Sequence, residues 1–190
     1  MFAPDFPRGR AIGELADWLA RWTDDAHVGR AAYVANSMGC QVAVELAVRR
    51  PERVSALVLL GPTVDPRART LVEQGVRLAR DAVRESPGLI WTVASDYVRS
   101  GPVRTVRWAR RMLEHRIEER LPLVAAPTLV VRGEHDAIVP REWAQRVASL
   151  VQQGELAEIR GAAHAAHFTH AAETRALANE FLTRSKQQAG

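Results

Sequence analysis

The 190-residue chain is poor in several things, and each shortage excludes something. It has one cysteine, Cys40, which leaves no internal disulfide and no cysteine-built metal site. No apolar run approaches the roughly 20 residues of a membrane-spanning helix. The N-terminal MFAPDFPRGR lacks an apolar stretch between a basic start and a small-residue cleavage site, so no export signal is expected. A cytoplasmic location and no membrane partner are expected. No GxGxxG, no P-loop lysine and no HExxH occurs, so neither a nucleotide, a metal nor any other cofactor is implied. Repeats and low-complexity tracts are also missing.

What is present is an ordinary globular balance, 47% hydrophobic and 25% charged, enough for one domain with room for a subdomain. The net charge is +4, and all 26 basic residues except Lys186 are arginine. They are scattered among acidic residues. Even the densest stretch, Arg104-Arg107-Arg110-Arg111, is followed at once by Glu114, Glu118 and Glu119. A nucleic-acid footprint needs basic side chains gathered on one face, so solvated arginine faces are expected and no nucleic-acid partner.

Two periodicities alternate along the chain. Ile12, Leu15, Leu19 and Trp22 recur at helical spacing over 11–26. Short apolar runs follow at 31–35, 56–60, 129–131 and, more weakly, 156–159, each but the first ending at or shortly before a glycine. Helices are predicted from Met38 to Arg50, at 141–152 and at 171–184. Apolar runs separated by helices are what a parallel sheet covered on both faces requires, so the fold class is α/β. Residues 64–124 interrupt the pattern with helical segments near 67–85, 88–99 and 103–120 and no strand signal. They read as a helical cap inserted into a core made of 1–63 and 125–190, or else as a long helical crossover.

Ser37 stands where the first run meets a helix, in Ala35-Asn36-Ser37-Met38-Gly39. Small-x-Ser-x-Gly between strand and helix is the elbow that holds a nucleophilic serine in an exposed, strained conformation; a plain helix N-cap is the other reading. Close approach of strand and helix backbones is expected to require the two small residues. A serine hydroxyl needs a base, and the base an orienting acid. Asp136 follows the third run in Gly133-Glu134-His135-Asp136, and His164 follows the fourth in Gly161-Ala162-Ala163-His164. Ser37, Asp136 and His164 thus fall at C-terminal ends of predicted parallel strands, the edge where open α/β sheets bind ligands. Glu134 is the competing acid and His167 the competing base. His27, His115 and His135 read as surface residues, and His170 as a helix-start residue.

Taken together, Asp5-Phe6-Pro7-Arg8-Gly9-Arg10, Asn36-Ser37-Met38-Gly39, Gly133-Glu134-His135-Asp136 and Gly161-Ala162-Ala163-His164 make the chain, from about Met1 to Phe181, resemble the α/β-hydrolase superfamily, in its branch with a helical cap. The first segment is similar to the Asp-x-Pro-Gly-x-Gly segment of that family. The resemblance implies Ser37 as nucleophile, Asp136 as acid, His164 as base and the Met38 N–H as an oxyanion donor. Asn-Ser-Met-Gly is also similar to the form found in carbon–carbon bond hydrolases of ring-cleavage products, and it occurs in esterases. Family members carry further strands and a His-Gly-type loop ahead of the Asp-x-Pro segment. The chain therefore looks like the C-terminal two-thirds of such a hydrolase, with an incomplete sheet.

The expected activity is serine hydrolysis of a small, mostly apolar ester or related carbonyl compound. Trp91, Tyr97 and Trp108 are candidates for the substrate pocket, although aromatic residues at helical spacing also suit a cap core. A competing expectation is a non-catalytic remnant that self-associates through an exposed sheet edge near 31–35.

Overall fold

The computed structural model describes residues 2–7 and 10–188, and the side chains of all of these except Asp96 and Ser100. Arg8 and Gly9 of the Asp-x-Pro-like segment lie outside the described residues. Four strands, β1 (Ala31–Asn36), β2 (Val54–Leu60), β3 (Thr128–Gly133) and β4 (Gly154–Ile159), form one sheet in the order β1-β2-β3-β4. All three pairings are parallel, with Ala35 opposite Leu59 and Val131 opposite Ala157.

Alternation along the strands assigns their side chains to two faces. Leu57, Leu59 and Val130 join the larger core beneath α1 (Ile12–Asp25), α2 (Met38–Arg49) and α7 (Arg141–Leu150). Ala56, Val58, Leu60, Leu129 and Val131 face the other way, where Ala178 and Phe181 of α9 (Ala171–Gln188) cover them. Covering both faces is why the central strands read as unbroken apolar runs. Truncating a fully packed side chain such as Phe181 costs about 3–5 kcal/mol.

Between β2 and β3 the chain is helical. It forms α3 (Leu71–Ala82), α4 (Pro87–Ser100), α5 (Pro102–Glu114) and the short α6 (Ile117–Arg120). The helix expected over 67–85 starts only at Leu71, because Thr70 caps it. Thr70 Oγ1 accepts the Glu73 N–H at 3.1 Å, and Glu73 Oε2 accepts the Thr70 N–H at 3.0 Å. The single helix expected over 103–120 is broken. His115 takes an extended conformation and turns its ring to Glu45 of α2, Nε2 to Oε1 3.0 Å, while Ile117 is fully buried. His115 is therefore not the surface residue its sequence context suggested. The helix expected over 141–152 stops at Leu150, since Val151 is extended and leads toward β4, whereas the last helix runs on to Gln188.

Just before β2 begins, a turn (Pro51–Arg53) follows α2, so β2 starts two residues earlier than its apolar run. Among the described residues no helix is long and apolar enough to cross a membrane.

Candidate active site

Ser37 links β1 to α2 with φ 51° and ψ −121°. A non-glycine residue in that region is strained and is kept there only by its surroundings. The Ser37 N–H donates to Leu60 O at 2.9 Å, which ties the elbow to the end of β2. Its carbonyl accepts the Cys40 N–H at 3.0 Å, starting α2. A Cβ on Gly39 would stand 3.8 Å from Ala35 Cβ, an ordinary contact. Close approach thus does not demand glycine at 39; the small pair leaves clearance. Met38 is the first residue of α2, so its N–H belongs to the donors left without an intrahelical partner.

Asp136 lies in the loop after β3 and is buried. Its Oδ1 accepts the N–H groups of Ile138 and Val139 at 2.9 and 2.8 Å, which fixes the carboxylate plane. Oδ2 is then left for His164 Nδ1, 2.9 Å away. Buried Arg132 staples the same loop: Nε donates to Val139 O, and Nη2 to Glu134 O and Asp136 O. Glu158 of β4 neutralises Arg132 in an ion pair.

His164 follows β4. Its loop is joined to the acid loop by His135 N–H to Ala162 O (2.8 Å) and Gly161 N–H to Glu134 Oε2 (2.8 Å). Glu134 is thus an exposed loop fastener and does not meet His164. Burial works against charge on the His164 ring, yet the Asp136 carboxylate, with Asp81 and Glu85 farther off, raises its pKa above the ordinary histidine value. His164 Nε2 is buried without a hydrogen-bond partner. The ring packs on Gly61, whose φ is +53°; a Cβ there would come within 2.7 Å of Cε1. Since Leu60 O holds Ser37 and Gly61 bears the His164 ring, the same strand end seats both. No hydrogen bond joins Ser37 to Nε2 here; unliganded sites commonly leave this contact open and close it on substrate.

A cavity of about 560 Å³ opens beside Ser37 and Met38. Phe6, Tyr97, Trp108 and Met112 supply its apolar wall, and Arg104 and Asp5 its charged ones. Trp91 does not line it. Its 76% exposure on α4 places it neither in the cavity nor in a helical core. His167, the competing base, is exposed on the short helix Ala166–Thr169, and His27 and His135 are exposed as well. Among the described residues no group of three metal-ligating side chains is assembled.

Sequence reasoning missed Gly61, Arg132 and an acidic group, Asp81, beside the Asp136–His164 pair. Asp81 is buried, and desolvation together with the Asp136 charge pushes its pKa up to about 6. The available signal was the charged stripe Arg77-Asp81-Glu85 at four-residue spacing on one helix face.

A parallel sheet with the elbow serine, acid and histidine at its C-terminal edge is the architecture of the α/β-hydrolase superfamily. Residues 13–170 match the family described as serine aminopeptidase, S33, and the chain belongs to that family. It is similar to the putative carbamate hydrolase RutD of Yersinia enterocolitica, 23% identical over 93% of this chain and 71% of that protein. It also resembles the 2-hydroxy-6-oxo-6-(2'-aminophenyl)hexa-2,4-dienoic acid hydrolase of Metapseudomonas resinovorans, 28% identical over 77% of this chain and 57% of that protein. Among solved structures, Est816, described as an N-acyl homoserine lactone degrading enzyme, superposes with a TM-score of 0.75 at 25% identity, covering 93% of this chain and 77% of that one. The class of the chain is thus that of a hydrolase.

Proposed function

We propose that the chain is a serine hydrolase acting on a small, mostly apolar ester or related carbonyl compound through Ser37, His164 and Asp136. The observation that carries this reading is the Asp136–His164 hydrogen bond of 2.9 Å, with an unpartnered Nε2 on the far side of the ring and the strained Ser37 tied to the same strand end. In the reaction, His164 Nε2 takes the Ser37 proton as Oγ attacks the substrate carbonyl carbon. Asp136 holds Nδ1–H and so keeps Nε2 the free base. The tetrahedral oxyanion forms at the N-terminus of α2, where the Met38 N–H donates to it. Collapse expels the alcohol, which His164 protonates; water then repeats the sequence and frees the acid.

Residues 64–124 act in this reading as a cap, with Tyr97 and Trp108 as the acyl-side wall. A fluorophosphonate probe tests the assignment: Ser37 is labelled, and Ser37→Ala and His164→Ala lose the label. Equal labelling of wild type and Ser37→Ala would end it. A second reading, cleavage of a carbon–carbon bond in a ring-cleavage product, is favoured by the name of the Metapseudomonas relative and by Arg104, a cation in the cavity wall. Loss of the absorbance of a conjugated dienoate, with no turnover of simple esters, would select it.

A further inference from the structure

Helix α3 grips both loops of the reaction centre. On its one face, Arg77 Nη1 donates to Ile138 O at 3.0 Å. One turn on, Asp81 Oδ1 accepts two N–H groups, that of Ala137 and that of His164, each at 3.2 Å. Just past the helix end, Glu85 Oε1 accepts the Ala165 N–H at 2.7 Å. Arg77 is itself held by buried Asp65, Nη2 to Oδ2 2.9 Å. Arg77 and Asp81 stand one turn apart on α3 and Glu85 follows in the turn after it, so this segment reaches the acid loop at one end and the histidine loop at the other, and Asp81 bridges them.

We propose that Asp81 is a positioning residue of the reaction centre, binding the Asp136 and His164 loops to α3 and supplying a second negative charge that strengthens His164 as a base. The proposal rests on the serine-hydrolase reading for its catalytic part.

Two N–H groups can be accepted by an uncharged amide oxygen as well as by a carboxylate. The loop contacts therefore explain an acceptor at 81 but not a charge. The charge is unfavourable where it stands, for burial and the nearby Asp136 both oppose it. Its counterpart is His164, which faces Asp136 from the acid loop, Asp81 and Glu85 from α3 and its end, and His167 from the following short helix. Asp81 in turn faces Asp136, His164 and Glu85. When Ser37 gives up its proton, the imidazolium forms against the Asp136 carboxylate, with the Asp81 charge held close by at the His164 backbone N–H, and the site gains where the fold loses.

The test compares wild type with Asp81→Asn, which keeps an acceptor oxygen and drops the charge. His164 is followed by titrating its Cε1–H in an NMR spectrum, the resonance being assigned by its loss in His164→Gln. The expected result is a His164 midpoint at lower pH in Asp81→Asn, and fluorophosphonate labelling slowed on the order of tenfold on its plateau. Thermal melting of Asp81→Asn should lie above wild type at pH values over about 6, where Asp81 is ionised, and the gain should vanish in the acid range where Asp81 is protonated. Glu85→Gln should move the His164 midpoint in the same direction. A midpoint identical to wild type in Asp81→Asn would overturn the proposal, and so would a failure of that variant to fold. If Ser37→Ala were labelled like wild type, the serine reading would fall, while the NMR titration would still decide on Asp81.

Discussion

The His164 ring lies so close to Gly61 that a methyl group on Gly61 would sit 2.7 Å from Cε1 and 2.9 Å from Nδ1. Gly61 also has φ +53°, which a Cβ disfavours. Gly61→Ala is therefore expected to push the imidazole off the Asp136 carboxylate, 3.3 Å from the same position. A displacement near 1 Å at a catalytic group costs on the order of 10²-fold. Fluorophosphonate labelling should fall by that factor while far-ultraviolet circular dichroism is kept. Unchanged labelling would mean that His164 is not the working base.

The pH dependence follows from His164. Its folded pKa is raised above the ordinary histidine value, mainly by Asp136 against the opposing effect of burial. Because the neutral ring is the base, kcat/KM should rise with pH and reach half its plateau above that ordinary value. Stability from the charged ring is fully present below the unfolded pKa and is lost as pH rises through the folded one. Asp136→Asn should lower the midpoint and, by releasing the tautomer, reduce turnover on the order of 10⁴-fold. An acid-side midpoint that Asp136→Asn leaves in place would exclude this pair from catalysis.

Ser37, Asp136 and His164 were legible because each follows an apolar run, and runs of that kind mark buried parallel strands whose ends share an edge. The partners that hold them were not. Asp81 lies 83 residues from His164, and no local pattern reports a hydrogen bond of that span. Arg132 is the last residue but one of β3, just past its apolar run, where sequence shows a charged residue but not the three carbonyls it meets. His115 looked like a solvated helix residue until its pairing with Glu45 broke that helix. Trp91, an aromatic residue at helical spacing, is exposed because α4 packs too little of itself to form a core.

Glu45 offers a stability measurement independent of catalysis. Its buried carboxylate meets His115 Nε2 at 3.0 Å, Arg49 Nε at 2.9 Å and Arg120 Nε at 2.8 Å, so α2 is pinned to the end of α5 and to α6. Chiefly the His115 hydrogen bond, then the arginines against the cost of burial, lower its pKa to about 2. A depressed carboxylate contributes stability above its unfolded pKa and loses it as pH falls through the folded value. Glu45→Gln should cost about 2 kcal/mol near neutral pH and nothing once the wild-type carboxylate is protonated. Denaturant melts across that acid range check it; a cost that does not change with pH would assign Glu45 a packing role only.

The last prediction concerns the edge of the sheet. Among the described residues β1 pairs with β2 alone, so the N–H and C=O groups on its other side meet no strand. Val34, in the middle of β1, is 48% exposed. An unpaired edge that carries exposed apolar side chains is a template for another chain. The 190-residue chain is expected to self-associate through β1, and sedimentation velocity should show a sedimentation coefficient that grows with concentration. Val34→Lys puts a charge on that strand, as natural edges do, and should shift the distribution toward monomer while Ser37 labelling is kept, because Val34 stands outside the cavity wall. If the wild-type chain sediments as one monomeric species at every concentration, β1 is not an association edge. If association persists undiminished in Val34→Lys, it runs through another surface.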